Sequence, residues 1–483
     1  MHEQCEVAVV GAGPGGMRAA LAAAKAGVQV TLIDANRQPG GQYYRQADLS
    51  GAPDEHGHQA KGRKLWQEVQ AAGVTYLPET VVWGIVGERT LALHGPDAPA
   101  FVDAQAIILS TGAYDRPVAF PGWTLPGVMT AGAAQTLLKT QGILAGRRIV
   151  LAGTGPLQFV LAAELRHAGA EIVAILEGSH NLKPSVSQVG ALWKQWGRLG
   201  EGLRSLADLT RHGVPIHMGW GIVSAHPGGA EDESVGSIAA GPLDENWRPK
   251  PDQVQNLTCD TLLLGYGFIP ANSLSVLMGA DQVWRPDLGG QVPVRDEMMQ
   301  TSLPGVYAVG DGAGIGGVLL AEVEGEIAGL AAAGRIQGQA ARAAQAIRKL
   351  GKELERERRF QTMYAELFTP EPGLYDLAQT DTILCRCEEV TLGQVQDAVA
   401  LGQTTTNEVK MVTRCGMGEC QGRMCGQLVA RAVAKAAGKT VAQVGLLLPR
   451  PPLFPIPIAD LAQIYAQDMA DVGSASGRKE DRI

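Results

Sequence analysis

The chain has 483 residues, enough for roughly three domains at about 150 residues each. Hydrophobic residues make up 45% and charged residues 19%, a balance that excludes extended disorder. The formal net charge of −8 lacks the positive field that would hold nucleic acid, so nucleic acid is excluded as a partner. No apolar run reaches the roughly 18 residues of a membrane span, and no basic leader precedes the first strand. We therefore expect no membrane span and a cytoplasmic location.

A glycine-rich turn follows the first predicted strand. Residues 6–10 (EVAVV) form a β-branched run, and the glycines after it precede an Ala-rich stretch typical of a helix. Gly11 permits a tight turn, Gly13 lets the backbone approach a pyrophosphate, and Gly16 lets helix and strand pack closely. The second predicted strand ends at Asp34, whose carboxylate can accept hydrogen bonds from ribose hydroxyls. The pattern predicts a dinucleotide site, FAD or NAD, at Gly11, Gly13, Pro14, Gly15, Gly16 and Asp34.

Three downstream segments resemble the glutathione-reductase-like flavoproteins with two dinucleotide-binding domains. Residues 301–311 (TSLPGVYAVGD) resemble the second flavin motif, whose Asp binds the ribityl chain in that superfamily. Residues 107–113 (IILSTGA) resemble the crossover to the second domain, and residues 40–42 resemble the loop beside the flavin pyrophosphate. The resemblance covers residues 6–330 and implies FAD as the cofactor. It adds Gly41, Gln42, Thr111, Gly112, Gly310 and Asp311 to the expected site.

A second copy of the motif begins at residue 147. A strand (147–153) leads into Gly153 and Gly155, and the strand after the following helix ends at Glu177. Gln158 stands in place of the third glycine, and its side chain weakens the case for a tightly bound cofactor. The resemblance implies an NAD(P)H domain in which Glu177 favours NAD. Two interpretations stay open: a second site at Gly153, Gly155 and Glu177 that takes NAD or ATP, and a retained fold without a nicotinamide site.

Five of the seven cysteines lie within 41 residues near the C-terminus. Four thiolates from two loops can ligate the two irons of a [2Fe–2S] cluster, whereas the C-x-C spacing fits structural zinc poorly. Residues 413–425 (TRCGMGECQGRMC) resemble the signature of bacterioferritin-associated-ferredoxin-like [2Fe–2S] domains. By that resemblance the ligands are Cys385, Cys387, Cys420 and Cys425. Cys415 occupies the variable position and is interpreted as a bystander, although the spacing leaves open a swap with Cys425.

The order of these segments resembles the α subunits of heteromeric FAD-dependent amino-acid dehydrogenases, a family that includes D-hydroxyproline dehydrogenase, opine oxidase and hydrogen cyanide synthase. Heterotetrameric sarcosine oxidase is a more distant member. The expected fold class is α/β, with two Rossmann-like dinucleotide-binding domains and a small, mainly helical C-terminal [2Fe–2S] domain. The expected boundaries are 1–115 with 271–365 for FAD, 116–270 for the second dinucleotide fold, 378–450 for the cluster, and 451–483 for a Pro-rich tail.

The resemblance implies an oxidoreductase subunit that passes electrons between a partner's flavin, its own FAD and a [2Fe–2S] cluster. The donor would be D-hydroxyproline, an opine or a related secondary amine. In the family, a β subunit of the D-amino-acid-oxidase type carries its own FAD and the substrate site, so no catalytic residue is assigned here. An FMN at a subunit interface and a small ferredoxin-like γ subunit stay open. The alternatives are a self-contained NADH-dependent reductase and a scaffold that holds an adenine nucleotide.

Overall fold

The structure, a computed structural model, describes residues 2–46, 57–180, 196–229 and 233–462. Up to residue 115 the elements are β1 (His2–Val10), α1 (Pro14–Lys25), β2 (Val30–Ile33), α2 (His58–Ala71), β3 (Thr75–Leu77), β4 (Val81–Val86), β5 (Thr90–His94), β6 (Phe101–Leu109) and β7 (Ala113–Asp115). The next elements are β8 (Val128–Thr130), α3 (Ala131–Thr136) with a π-helical turn (Leu137–Gln141), β9 (Arg148–Gly153), α4 (Pro156–His167), β10 (Glu171–Glu177), α5 (Trp196–Arg211), β11 (Ile216–Met218), β12 (Trp220–Pro227), β13 (Val235–Pro242), β14 (Gln255–Thr258), β15 (Thr261–Gly265) and β16 (Phe268–Pro270).

The remaining elements complete the first fold and form a C-terminal unit. They are α6 (Ser273–Leu277), β17 (Gln282–Arg285), β18 (Gly290–Pro293), β19 (Val306–Ala308), α7 (Val318–Ile336), α8 (Ala340–Phe368), β20 (Ile383–Cys385), β21 (Val390–Thr391), α9 (Leu392–Ala400), α10 (Thr406–Thr413), α11 (Gly426–Ala437) and α12 (Val441–Val444). Short 3₁₀ turns lie at Pro251–Gln253, Pro286–Leu288, Gly310–Ala313 and Pro372–Asp376.

The first dinucleotide fold is built on a seven-stranded sheet. β3, β2, β1, β6 and β19 run parallel, and β5 and β4 continue from β6 as an antiparallel arm. Val9 pairs with Leu32 on one side and with Ile108 on the other, and all three are buried. Both faces of the sheet are covered, which is why these strands are continuously apolar. The carboxyl ends of the parallel strands share one edge, where open α/β sheets hold ligands.

The second fold is a five-stranded parallel sheet in the order β11, β10, β9, β15, β8. An antiparallel sheet of β12, β13 and β14 lies beside it. β7 and β16, the two chain crossovers between the folds, pair with each other through Ile269 and Tyr114. This ladder holds the two folds together at the edge where the first sheet opens.

α7 packs against α1 at unusually short range because α7 carries glycines at the contact. A Cβ at Gly325 would overlap the carbonyl oxygen of Gly15, and one at Gly329 would overlap that of Ala19. Only residues without a side chain permit such an approach. The contact brings the turn that precedes α7 beside the first turn of α1.

A buried ion pair between Glu324 and Arg295 supports the turn that follows β19. Glu324 on α7 is 1% exposed, and both its oxygens accept hydrogen bonds from Arg295, at 2.7 and 2.8 Å. Glu324 also accepts a hydrogen bond from the N–H of Gly310 at 2.9 Å. Arg295 in turn donates to the carbonyl oxygen of Ala308, the last residue of β19. The pair therefore positions the end of β19 and the turn after it.

The C-terminal unit is mainly helical and packs on the second fold. Its core is continuous with that fold, because buried residues such as Val395 and Val433 belong to the same cluster as Val150 and Ala152. Trp123 also donates its indole N–H to the carbonyl oxygen of Ile383 at 2.6 Å. Three of its helices, α9, α10 and α12, begin with capping boxes, in which the cap and the third helical residue exchange hydrogen bonds.

The chain after residue 450 returns to the first fold. Leu453 donates its N–H to the carbonyl oxygen of Trp83 on β4 and packs beside Val82 and Leu91. Ile456 and Leu461 pack near Trp83 as well. The described part of the expected Pro-rich tail is thus a strap over the antiparallel arm, and residues 463–483 lie outside the described residues.

The expected α/β class, with two dinucleotide folds and a helical C-terminal region, is confirmed. Among the helices of the described residues, none combines the length and the apolarity needed to cross a bilayer.

Replacing Glu324 tests the buried ion pair. Glu324→Gln leaves the Arg295 guanidinium without a charged partner, so we expect the free energy of unfolding to fall by about 3 kcal/mol in a denaturant titration. Glu326→Gln, on the same helix but partly exposed, is the matched control and should unfold like the parent chain. Equal stability of the two variants would contradict the role given to the pair.

Candidate functional site

A cavity of about 1140 Å³ opens at the carboxyl ends of the parallel strands of the first sheet. It exceeds the roughly 300–1,000 Å³ of typical small-ligand pockets, so a dinucleotide has room there. Eleven of the twelve residues predicted to contact the dinucleotide line it, and Gly16 does not. The eleven are Gly11, Gly13, Pro14, Gly15, Asp34, Gly41, Gln42, Thr111, Gly112, Gly310 and Asp311.

The glycine turn explains why these positions lack side chains. Gly11 has a φ of +103°, and a Cβ there would overlap the carbonyl oxygen of Ser110. A Cβ at Gly16 would overlap the carbonyl oxygen of Gly11, so Gly16 serves packing beneath the turn. At Gly13 a Cβ would meet nothing nearer than the Cα of Gly41, 4.0 Å away. No side chain caps the start of α1, so its first N–H groups are available to an anion in the cavity.

Asp34 follows β2 and is held by three hydrogen bonds. Oδ2 accepts from the N–H of Ala12 at 2.5 Å, and Oδ1 accepts from the backbone and side-chain nitrogens of Asn36 at 2.6 and 2.8 Å. A carboxylate offers about four acceptor positions, so one remains for a ribose hydroxyl. Burial raises the pKa of Asp34, and the three hydrogen bonds oppose that rise.

Asp311 stands at the opposite side of the glycine turn, after β19. Its Oδ1 accepts from the N–H groups of Gly316 and Gly317 at 2.9 and 3.0 Å. The second oxygen, Oδ2, makes no hydrogen bond to any residue that the structure describes. Burial raises the pKa of this carboxyl group. The Thr111 hydroxyl donates its hydrogen to the carbonyl oxygen of Ala271 at 2.6 Å, so it is not available as a donor to a ligand. This hydrogen bond joins the two crossover segments.

This set of groups fits a dinucleotide such as FAD. The uncapped start of α1 offers N–H donors to a diphosphate, Asp34 offers an acceptor to a ribose, and Asp311 offers one to a polyhydroxyl chain. The open space in front of Gly13 gives the diphosphate room to approach the backbone.

Sequence reasoning missed part of the cavity wall. Asp115, the last residue of β7, accepts hydrogen bonds from the Thr130 hydroxyl at 2.8 Å and from the N–H of Gly132, and burial raises its pKa. Arg423 and Phe454 also line the cavity, from the C-terminal part of the chain. No local pattern indicates these contacts, because the tertiary fold alone brings their elements to the cavity.

The second glycine turn brings its three predicted residues, Gly153, Gly155 and Glu177, together, and all three are buried. Glu177 is 0% exposed. Its Oε2 accepts hydrogen bonds from the backbone N–H of Gly155 at 3.0 Å and from the side-chain amide of Gln158 at 2.6 Å. Its Oε1 accepts a hydrogen bond from the backbone N–H of Ser179 at 2.9 Å. Burial raises the pKa of Glu177. Gly153 lies beneath the turn, where a Cβ would overlap the carbonyl oxygen of Gly265.

The end of α8 covers this second turn from outside. A Cβ on Gly155 would lie 2.8 Å from the hydroxyl of Tyr364 and 3.7 Å from the ring of Phe368. Ser179 donates its hydroxyl to the carbonyl oxygen of Leu367 at 3.1 Å, which fixes α8 in place. A dinucleotide bound as in the first fold would therefore meet side chains of α8 at the turn and a carboxylate that has no exposed surface.

The five clustered cysteines form one contiguous group. The Sγ atoms of Cys385, Cys415 and Cys425 all lie within 4.8 Å of one another, and those of Cys415 and Cys425 are 3.9 Å apart. Cys420 contacts Cys425 and also Cys387, which is exposed. The structure thus brings the four predicted ligands together and adds Cys415, which is 0% exposed, to the same group.

The surroundings of these sulfurs suit an iron–sulfur centre. Hydrogen bonds from Cys415 and Cys425 lower the pKa of Cys385 to about 2, and a hydrogen bond from Cys425 lowers that of Cys420 to about 5, whereas the same contacts raise the pKa of Cys425, which acts as the donor. Thiolates are the form that ligates metal. The N–H of Gly416 donates to the Sγ of Cys385 at 3.4 Å, a kind of contact that tunes cluster potentials.

Two glycine variants separate cofactor contact from packing. Gly13 has a φ of −71°, so Gly13→Ala should keep the unfolding free energy of the apoprotein within about 0.5 kcal/mol while the new methyl group lowers FAD retention. Gly16→Ala should destabilise the apoprotein by about 1–3 kcal/mol because of the overlap with Gly11. Denaturant unfolding and the flavin-to-protein ratio measure the two effects. Unimpaired FAD retention in Gly13→Ala would contradict the site.

Cysteine variants test which thiols are ligands. We expect Cys387→Ala to lose the bound iron and the visible absorbance of the cluster, whereas Cys415→Ala keeps both, since Cys415 is outside the predicted ligand set. Iron analysis and electron paramagnetic resonance of the reduced protein provide the measurement. The reverse pattern would make Cys415 a ligand in place of Cys387.

Comparisons with known proteins agree with this architecture. The family described as pyridine nucleotide-disulphide oxidoreductase matches residues 5–346, and the sarcosine oxidase A3 domain matches residues 381–464. A solved structure of L-proline dehydrogenase from P. horikoshii aligns over 95% of this chain and 79% of its own, with a TM-score of 0.64 and 19% identity. A likeness at that identity concerns the fold alone.

Two curated relatives are similar over nearly the whole chain. An opine oxidase subunit of Rhizobium meliloti is 33% identical over 96% of this chain and 88% of its own length. Hydrogen cyanide synthase subunit HcnB of Pseudomonas aeruginosa is 33% identical over 93% of this chain and 97% of its own. The chain is therefore an oxidoreductase and belongs to the family of these opine oxidase and hydrogen cyanide synthase subunits, within the pyridine nucleotide-disulphide oxidoreductases.

Proposed function

We propose that the chain is the electron-carrying subunit of a heteromeric dehydrogenase of amino acids or related secondary amines, such as opines or D-hydroxyproline. The names of its relatives each describe one subunit of a larger enzyme, and two of those enzymes are opine oxidase and sarcosine oxidase. The amine-oxidising pocket then belongs to a partner, a β subunit of the D-amino-acid-oxidase type with its own FAD. In this proposal the chain carries two redox sites and needs no catalytic residue of its own.

The observation that carries the proposal is the shared wall between the two predicted redox sites. Arg423, from the loop between Cys420 and Cys425, lines the cavity of the first glycine turn. FAD held there supplies two-electron chemistry, and a [2Fe–2S] cluster on the cysteines exchanges single electrons. Asp34 and Asp311 would orient the dinucleotide, while the buried Cys385 and Cys425 would shield one side of the cluster and the exposed Cys387 would leave the other side near solvent.

An FMN at a subunit interface and a ferredoxin-like γ subunit extend the same proposal. Both belong to surfaces between chains, so no residue of this chain is assigned to them. The cytoplasm is the proposed location.

The self-contained NADH-dependent reductase is the competing function, and the enclosed second turn counts against it. Glu177 has no exposed surface to receive a ribose, and Tyr364 and Phe368 stand over Gly155. The same closure counts against ATP or NAD as a ligand of that turn. We therefore propose that reducing equivalents arrive from the partner subunit.

Anaerobic reduction of the flavin distinguishes the two functions. NADH alone should leave the flavin absorbance band of the purified chain nearly unchanged, while a secondary amine should bleach it once the β subunit is present. Dithionite shows that the flavin is reducible, and Gly13→Ala isolates the absorbance of the cluster. Rapid bleaching by NADH alone would establish the competing reductase instead, and a chain purified without flavin and iron would contradict the proposal altogether.

A further inference from the structure

Arg423 belongs to the cysteine loop and yet forms part of the wall of the first cavity. Its neighbours on that wall are Leu453 and Phe454, from the strap that returns over β4. Leu453 donates its N–H to the carbonyl oxygen of Trp83 on β4. Thr80, the residue before β4, donates its N–H to the carbonyl oxygen of Asp34, so the strap lies on the Asp34 side of the cavity.

The guanidinium of Arg423 is oriented by three contacts. Nη2 donates to the carbonyl oxygen of Leu453 at 2.6 Å, and Nη1 donates to that of Cys420 at 3.3 Å. The guanidinium carbon lies 4.1 Å from the centre of the Phe454 ring, a cation–π contact. All three contacts hold the planar group in place, and none supplies a negative charge.

Arg423 has no carboxylate partner within the part of the chain that the structure describes. Arg423 makes no ion pair with the described residues, and its buried Nε has no hydrogen-bond partner. Arg423 is half-buried, and its guanidinium carries five N–H donors, of which two are used by the carbonyl oxygens of Leu453 and Cys420. Lys139, another basic residue of the wall, is by contrast paired with Glu164 at 3.0 Å.

We propose that Arg423 contacts the diphosphate of the dinucleotide in the first cavity. The inference rests on the proposed function, since it requires a dinucleotide at the first glycine turn. A diphosphate is the doubly negative group of such a ligand, and a guanidinium binds phosphate oxygens with two parallel donors. The start of α1 contacts the diphosphate from one side, and Arg423 contacts it from the cysteine loop.

This contact makes the cysteine loop part of the flavin site. Arg423 donates to the carbonyl oxygen of Cys420, so a diphosphate that fixes the guanidinium also restrains the backbone of a predicted cluster ligand. A dinucleotide in the first cavity should therefore favour binding of the cluster by the cysteines. By thermodynamic linkage, a bound cluster should favour binding of the dinucleotide equally.

The test compares ADP with adenosine as competitors of FAD. Apoprotein of the full chain is reloaded with FAD in the presence of either competitor, and flavin fluorescence gives the two inhibition constants. In the parent chain we expect ADP to bind more tightly than adenosine. Arg423→Met should reduce that preference about tenfold or more, the size of one charge-assisted hydrogen bond, and Arg423→Lys should retain most of it. Arg285→Met, which removes an arginine paired with Asp287 on an exposed hairpin, is the control.

The comparison also excludes a merely structural role. A variant that is only misfolded loses affinity for ADP and adenosine alike, which leaves their ratio unchanged and overturns the inference. An unchanged ratio in a well-folded Arg423→Met overturns it as well. Failure of the parent chain to bind FAD at all would instead refute the proposed function. A lower iron content of apoprotein, restored by FAD in the parent but not in Arg423→Met, would support the coupling between the sites.

Discussion

The close contact between α1 and α7 is the constraint on which the first cavity depends. Gly325 and Gly329 let the two helices touch backbone to backbone, and this places the turn after β19 beside the turn after β1. Glu324, with Arg295, then holds Gly310 from below. Asp311 and the start of α1 can face one cavity only because these distances are short. A side chain in the contact would separate the two halves of the site.

The two dinucleotide folds show that one motif can have two outcomes. Asp34 directly follows the second strand of the first fold and Glu177 ends that of the second, and both accept hydrogen bonds from the glycine turn. Asp34 keeps an acceptor position beside a cavity, whereas Glu177 accepts from the amide of Gln158 and has no exposed surface, and α8 covers the glycine turn next to it. The difference arises from what packs against each turn. The second fold thus serves as the support on which the C-terminal unit packs.

The C-terminal part of the chain connects the two proposed redox sites physically. The helical unit shares its core with the second fold, and the strap after it lies over the first. The loop between Cys420 and Cys425 lies between these attachments, so Arg423 reaches the flavin cavity while the cysteines stay grouped beside it.

The sequence by itself determined the local features: the strands, the glycine turns, the acidic residues after the strands, and the grouping of the cysteines. It did so because parallel strands bring their carboxyl ends to one edge, so that Gly11, Asp34 and Asp311 had to meet. Only the tertiary structure decided that α8 covers the second glycine turn at Gly155, that Cys415 joins the other sulfurs, and that Arg423 and Phe454 complete the cavity wall. These contacts join segments hundreds of residues apart, and no local periodicity records which surfaces will pack against each other.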